Sequence, residues 1–197
     1  MNDDLKSDEA EGALAFWLAG IFAVPPDAAR LAAWRAPQGR ATLEALGAAA
    51  GVGIEVAAVL ACRGDALAVA RAHERLFSGM AGPRGVAPFQ SVITGGRLWG
   101  EAAAAMRARL AAAEVAPVAT LEHEPPDHVA TELALLAALL RRGEAAAARA
   151  LARDQMAPWL GRFAAALAEA DPGGFHAAAA ALAAALVERL SGEAAAS

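Results

Sequence analysis

The 197-residue sequence lacks or nearly lacks several residue types, and each shortage narrows the class of protein. Cys62 is the single cysteine, which excludes an intramolecular disulfide or a cysteine zinc cluster and fits a reducing cytoplasm. There is no tyrosine, and Lys6 is the single lysine, so nearly all of the positive charge is arginine. The net charge is −5, which argues against a nucleic-acid partner because phosphates are repelled by an acidic protein.

Long hydrophobic runs and a secretory signal are missing too. The apolar stretch 13–24 is too short to span a bilayer, as is every other run, so no transmembrane segment is expected. The chain opens on MNDDLKSDEAEG, which is acidic where a signal peptide requires basic residues. We therefore expect a soluble protein that stays in the cytoplasm.

The sequence also has no convincing alternating segment rich in β-branched residues, so we expect no sheet of three or more strands. Outside the irregular stretches 79–100 and 115–125, apolar residues recur with the helical period. Hydrophobic residues make up 57% of the chain and include much alanine, the best helix former. The sequence predicts one all-α globular domain of roughly nine to eleven helices over residues 10–191, between flexible ends at 1–9 and 192–197.

Prolines and glycines divide this domain into helices. Pro25 and Pro26 end the first helix, Asp65 is a plausible N-cap, and Ser78 with Gly79 ends the helix that reaches Phe77. The predicted helical segments are 14–21, 27–34, 42–50, 54–62, 65–77, 99–110, 127–142, 144–155, 160–167 and 175–190.

The segment 127–142 is predicted to be the central buried helix. Val129, Leu133, Leu136 and Leu140 repeat at steps of four, three and four, and the adjacent faces carry leucine and alanine. Charged residues precede this apolar helix. The residues at its entrance read EHEPPDH from Glu122 to His128. Asp127 is placed to accept backbone N–H groups at the N-terminus or to offset the helix dipole.

Catalysis is the first alternative to weigh for this charged segment. Ser91, His128 and Asp127 could be assembled into a nucleophilic triad, but adjacent helical residues point about 100° apart, so Asp127 is badly placed to orient His128. The sequence also has no G-x-S-x-G elbow. We predict no catalytic residues.

A metal site is the second alternative. His128 and Glu132 are four residues apart and His123 is near, but a metal needs three converging ligands, and the other two histidines are distant in sequence. We expect a hydrogen-bonded pair of His128 and Glu132 rather than a metal. A helical transcription regulator is disfavoured because the N-terminal region is acidic.

The irregular stretch 79–100 leaves a third alternative open. Its glycines at 79, 82, 85, 95 and 96 invite comparison with a phosphate-binding loop, yet no strand precedes them and no G-K-[ST] follows. A helical nucleotide-binding protein or enzyme using 79–100 stays the alternative function, and a plain connecting loop is the simplest interpretation.

Three motifs carry a family resemblance. HERLFSG at 73–79 is similar to an aromatic-x-R-L-F-x-G helix end, and PFQSV at 88–92 is similar to a P-aromatic-x-S-V loop. EPPDH at 124–128, followed by Glu132 and Leu133, is similar to an E-P-x-D-H signature, the most specific of the three. Together, over roughly residues 14–190, they resemble the TorD/DmsD/NarJ family of cytoplasmic chaperones for molybdenum oxidoreductases.

The resemblance implies an all-helical chaperone that is not an enzyme. Such a protein binds the twin-arginine signal peptide of a molybdopterin oxidoreductase, delays its export and assists cofactor insertion. The resemblance implies neither a metal nor a cofactor of its own, and it allows a monomer or a homodimer. The residues expected to form or support the peptide site are Leu76, Phe77, Pro88, Phe89, Ser91, Glu124, Pro125, Asp127 and His128.

Three positions depart from the family pattern. His73 and His176 stand where an aromatic residue is common, and Gln155 stands where a histidine commonly precedes the pair Pro158-Trp159.

A twin-arginine leader has a basic segment followed by an apolar one, so its receptor needs carboxylates beside an apolar groove. The expected carboxylates are Glu122, Glu124 and Asp127.

Overall fold

A computed structural model of the chain describes residues 2–78 and 85–193, which are mainly helical. The helices are α1 (Asn2–Ala23), α2 (Ala28–Arg35), α3 (Pro37–Ala49), α4 (Gly53–Ala61), α5 (Ala66–Phe77), α6 (Gln90–Ile93), α7 (Glu101–Ala112), α8 (Val129–Arg141), α9 (Ala145–Leu151), α10 (Ala157–Ala170) and α11 (Phe175–Glu193). A 3-10 turn covers Ala119–Leu121, and a π-helical segment, Ala152–Met156, joins α9 to α10. The prediction of an all-α fold is confirmed.

The helix boundaries differ from the sequence prediction at several points. Helix α1 begins at Asn2, so most of the lead-in predicted as flexible lies in a helix here, and its flexibility stays a prediction. Helix α3 begins at Pro37, five residues before the predicted start, because proline fits the first turn of a helix. Gly79 and the tail 194–197 lie outside the described residues.

Aspartate caps fix two of the short N-terminal helices. The side chain of Asp27 accepts a hydrogen bond from the backbone N–H of Arg30 at 2.8 Å, at the start of α2. Asp65 accepts from the N–H of Ala68 at 2.7 Å, at the start of α5. The cap at Asp65 confirms the sequence prediction, and both bonds satisfy donors that a helix N-terminus leaves unpaired.

Helix α8 is the centre of the core. Ten of its thirteen residues are buried, and the predicted stripe Val129, Leu133, Leu136 and Leu140 lies in the core. The most extensive helix–helix contact is between α1 and α8. A Cβ added at Gly12 of α1 would lie only 3.2 Å from Cβ of Leu140, so a small residue there permits this close approach.

The C-terminal helices complete the core on another side. Helices α10 and α11 pack against each other and bury large side chains, among them Trp159, Phe163 and Leu186. Phe163 also meets Phe22 of α1 edge-to-face, with ring centroids 5.8 Å apart. Within the described part of the chain, no helix combines the length and apolar character needed to cross a bilayer.

Candidate functional site

A groove of about 340 Å³ opens where the ends of α1 and α5 meet the segment before α8. Its lining mixes apolar side chains, three of them phenylalanines, with ionisable ones. The lining residues are Phe22, Ala23, His73, Glu74, Phe77, Ser78, Pro88, Phe89, Leu121, Glu124 and His128. Four segments of the chain, α1 among them, therefore converge on one surface.

The groove gathers the residues that the motifs single out. Five of the nine predicted site residues line it, and the other four are buried near it in the same three segments. The lining residues are Phe77, Pro88, Phe89, Glu124 and His128. The buried residues are Leu76, Ser91, Pro125 and Asp127.

Backbone hydrogen bonds tie residues 88–92, called the Pro88 loop here, to the start of α8. Phe89 and His128 form an isolated antiparallel bridge. The N–H of Val129 donates to the carbonyl of Pro88 at 2.9 Å, and the N–H of Gln90 donates to the carbonyl of Asp127 at 3.1 Å. Two of the sequence motifs are thus joined by direct pairing, which fixes the edge of the groove.

Asp127 acts on this loop and not on its own helix. Its Oδ2 accepts a hydrogen bond from the backbone N–H of Ser91 at 2.7 Å, and the residue is fully buried. The expectation that Asp127 accepts backbone N–H groups of α8 is therefore wrong, because its carboxylate is turned toward α6; an effect of its charge on the dipole of α8 stays a prediction. The N-cap is His128, whose Nδ1 accepts from the N–H of Ala130 at 3.1 Å, and α8 begins at Val129.

His128 presents a neutral ring to the groove. Burial lowers its pKa to about 3, with a smaller contribution from His73, so the imidazole is uncharged at pH 7. Because Nδ1 is the acceptor for Ala130, the single ring proton is on Nε2, which becomes a donor. The ring also packs edge-to-face against Phe89 at 5.1 Å.

The acidic side chains are distributed differently from the sequence prediction. Only Glu124 of the three expected carboxylates lines the groove. Asp127 is buried beneath it, and Glu122 is exposed beside His123 at 3.3 Å. The second carboxylate in the groove is Glu74, which the sequence analysis missed. A signal was present, since Glu74 lies three residues before Phe77 and so shares its helix face.

Glu132, Gln155 and Trp159 form a buried polar network next to the start of α8. Glu132 is fully buried, and its carboxyl oxygens accept from Trp159 Nε1 at 3.0 Å and Gln155 Nε2 at 3.5 Å. Burial raises the pKa of Glu132 well above its usual value, although both hydrogen bonds oppose the shift. The expected pair of Glu132 with His128 is wrong, because Glu132 points toward α10.

Gln155 connects this network to the Pro88 loop. Its Nε2 donates to Oε1 of Gln90, and its own backbone carbonyl accepts from Gln90 Nε2 at 3.0 Å. Gln155 lies in the π-helical segment Ala152–Met156, a type of irregularity that often occurs at functional sites. Gln155 therefore both donates and accepts hydrogen bonds here, the first through its side chain and the second through its backbone carbonyl.

Two histidines pack beside Phe77. His73 lies 5.0 Å and His176 lies 5.4 Å from the Phe77 ring, measured between centroids. Burial lowers the pKa of both histidines, that of His176 to about 3. The two imidazoles therefore pack as neutral rings in an otherwise apolar cluster.

Neither a catalytic triad nor a metal centre is formed by the described residues. Ser91 Oγ is buried without a hydrogen-bond partner, and Asp127 contacts the backbone of Ser91, so the proton-transfer chain of a triad is not assembled. In the same part of the chain, no three His, Cys, Asp or Glu side chains converge as a metal requires.

The glycine-containing turn after α6 uses its amides internally. The N–H groups of Gly95, Gly96 and Gly100 donate to the carbonyls of Val92, Ser91 and Arg97 at 3.1, 2.7 and 3.0 Å. A phosphate cradle needs such amides free and pointing outward. Residues 79–84 of the same stretch lie outside the described chain.

A family model described as "Nitrate reductase delta subunit" matches residues 39–165, well over half of the chain. The chain belongs to the nitrate reductase delta subunit family. This is a family of chaperones for molybdoenzyme maturation, which confirms the resemblance found in the motifs. No curated protein matches the sequence significantly. The matched range contains all nine predicted site residues, whereas Phe22 of the groove floor and His176 lie outside it.

Proposed function

We propose that this protein is a chaperone that binds the twin-arginine signal peptide of a molybdopterin oxidoreductase. Binding occurs in the groove between α5, the Pro88 loop and the start of α8. It takes place in the cytoplasm, holds the enzyme back from export and assists insertion of its cofactor. The chaperone itself needs no metal, no cofactor and no catalytic group for this role.

The observation that carries the proposal is the convergence of the three motifs on one groove. Phe77, Phe89 and Glu124 belong to segments separated by up to about fifty residues, yet they line the same cavity. A leader peptide combines a basic segment with an apolar one. The groove offers the matching combination, because carboxylates stand beside an aromatic floor.

The charge state of the groove supports a cationic ligand. Glu74 and Glu124 are exposed carboxylates, while His73 and His128 have lowered pKa values and stay neutral at pH 7. No imidazolium therefore cancels the negative charge at the groove. Favourable electrostatics of this kind mainly speed association and select the partner.

The alternative of a nucleotide-binding protein or enzyme gains no support. In the described part of 79–100, the amides of Gly95, Gly96 and Gly100 are used in internal hydrogen bonds. Glu101, which follows this stretch at the start of α7, disfavours an anion. Chaperone activity is also the function of the family to which the chain belongs.

The test is titration of the purified protein with a synthetic twin-arginine leader, without metal or nucleotide. We expect saturable binding, weakened about tenfold by Phe89→Ala because a well-packed aromatic anchor is removed. Phe16→Ala is the matched control, since Phe16 is exposed on α1 and lies outside the groove. Failure to bind any leader encoded in its own genome would overturn the assignment.

A further inference from the structure

The groove contains one carboxylate that no family motif marks. Glu74 projects from α5, and Glu124 lies just before α8, so the two carboxylates reach the groove from different walls. Both side chains are exposed, and neither has an ion-pair partner among the described residues. Two free negative charges on separate walls suit a ligand with two positive charges.

A buried polar group at the same groove also points to a ligand. His128 is only 5% exposed and lines the groove. Its Nδ1 is occupied by Ala130, so its proton is on Nε2, for which the described chain supplies no acceptor. An N–H donor that the described chain leaves without an acceptor is available to the carbonyl of an arriving peptide.

We propose, on the basis of the peptide-binding function above, that Glu74 and Glu124 each pair with one of two adjacent arginines of the bound leader. His128 donates from Nε2 to a backbone carbonyl of the same peptide. Consecutive side chains of an extended peptide point to opposite sides, so neighbouring arginines reach different walls. A guanidinium group pairs with a carboxylate through two parallel hydrogen bonds, which makes the contact geometrically selective.

Spacing within the leader gives the first test. Insertion of one alanine between the two arginines turns both side chains to the same side while the peptide charge is unchanged. We expect the Arg-Ala-Arg leader to bind about threefold to tenfold more weakly than the Arg-Arg leader in isothermal titration calorimetry. Equal affinities would overturn the two-wall arrangement.

Charge-neutralising variants give the second test. Glu74→Gln and Glu124→Gln should each weaken binding of the Arg-Arg leader about threefold to tenfold. Glu188→Gln is the matched control, because Glu188 is exposed on α11 and outside the groove, and its loss changes the net charge equally. We expect less than a twofold effect from this control. A Glu74→Gln variant that binds like Glu188→Gln would remove Glu74 from the site.

A third test determines which carboxylate contacts which arginine. Each of the two glutamate variants is titrated with leaders in which one or the other arginine is replaced by alanine. In a double-mutant cycle, Glu74→Gln should abolish the effect of replacing one arginine by alanine and leave the effect of the other. Glu124→Gln should show the reverse pattern. Additive effects in all four combinations would contradict one-to-one pairing. If the wild-type protein binds no leader, the peptide-binding function itself fails; if it binds and the cycles are additive, only this inference fails.

Discussion

Residues 127–132, at the start of α8, and the second half of α8 are both buried, but they differ in chemistry. The first half and the residues before it bury polar side chains, namely Asp127, His128, Thr131 and Glu132. The second half buries leucines, which pack against α1 and α9. Burial alone therefore does not reveal a role. The leucines stabilise the fold. The polar side chains of Asp127, His128 and Glu132 instead each accept a hydrogen bond from one particular donor.

The difference has an energetic basis. A buried leucine stabilises the folded state wherever its neighbours fit it closely, and it specifies no particular partner group. A buried carboxylate is unfavourable unless a donor meets it, so Asp127 requires Ser91 and Glu132 requires Trp159. The polar half consequently restricts where the Pro88 loop and α10 can lie.

The largest expected effect belongs to the apolar half. Leu136→Ala removes a fully buried side chain, and we expect unfolding free energy to fall by about 2–5 kcal/mol through lost transfer energy and a cavity. Denaturant melts measure this loss. Leader affinity of the folded fraction should stay within about twofold, because a change of under about 0.4 kcal/mol is expected for a distant site. A loss of stability below about 1 kcal/mol would place Leu136 outside the core.

An intermediate effect, dependent on pH, belongs to His128. Its folded pKa of about 3 lies below the ordinary value, so the unfolded chain binds a proton more readily as pH falls from 6.5 toward 3. Wild-type stability should therefore fall on acidification, by about 2 kcal/mol between pH 6.5 and pH 5 from this residue alone.

His128→Asn isolates that contribution. Asparagine is a good N-cap without a titrating ring, so the variant should match the wild type within about 1 kcal/mol at pH 7.5 and lose less stability at pH 5. Thermal melts of both proteins across this pH range make the measurement. Parallel pH profiles would show that His128 does not titrate as a buried ring.

The smallest expected effect is that of Asp127→Asn on leader binding. Asp127 is fully buried, so its carboxylate is not exposed to a leader arginine, and asparagine keeps an acceptor oxygen for Ser91. We expect leader affinity to change by less than about fivefold, or about 1 kcal/mol, in titration with Arg-Arg and Lys-Lys leaders. A larger loss confined to the Arg-Arg leader would mean that the bound state exposes Asp127.

Asp127→Ala sharpens the same comparison. Alanine removes the acceptor altogether, so the Ser91 N–H loses its partner and the loop keeps only its backbone hydrogen bonds to this segment. Stability should fall by about 1–3 kcal/mol, and leader affinity should fall with it. Equal behaviour of the Asn and Ala variants would show that this hydrogen bond does not position the loop.

Much of the fold was predictable because its causes are local. The stripe of Val129, Leu133, Leu136 and Leu140 repeats at helical spacing, and all four lie in the core. Asp65 was recognisable as a cap because a capping side chain reaches the backbone N–H three residues ahead. The family was also recognisable from short motifs whose residue types and spacings stand in the sequence itself.

The site was only partly predictable because its causes are not local. The sequence showed which segments matter, but the packing of α1, α5 and α8 decided which side chains face the groove. Asp127 looked like a cap and an arginine ligand, yet pairing with a loop 36 residues earlier buries it. Glu132 looked like a partner of His128, yet Trp159 is its hydrogen-bond donor.

The sequence by itself determined the helices, the central position of α8 and the family, because helical period, capping and motif spacing act within a few residues. Tertiary structure alone decided that Glu74 replaces Asp127 at the groove and that His128 caps α8. The physical reason is that exposure and hydrogen-bond partners depend on what packs against a side chain. The nearest neighbours of these groups in space are distant along the chain.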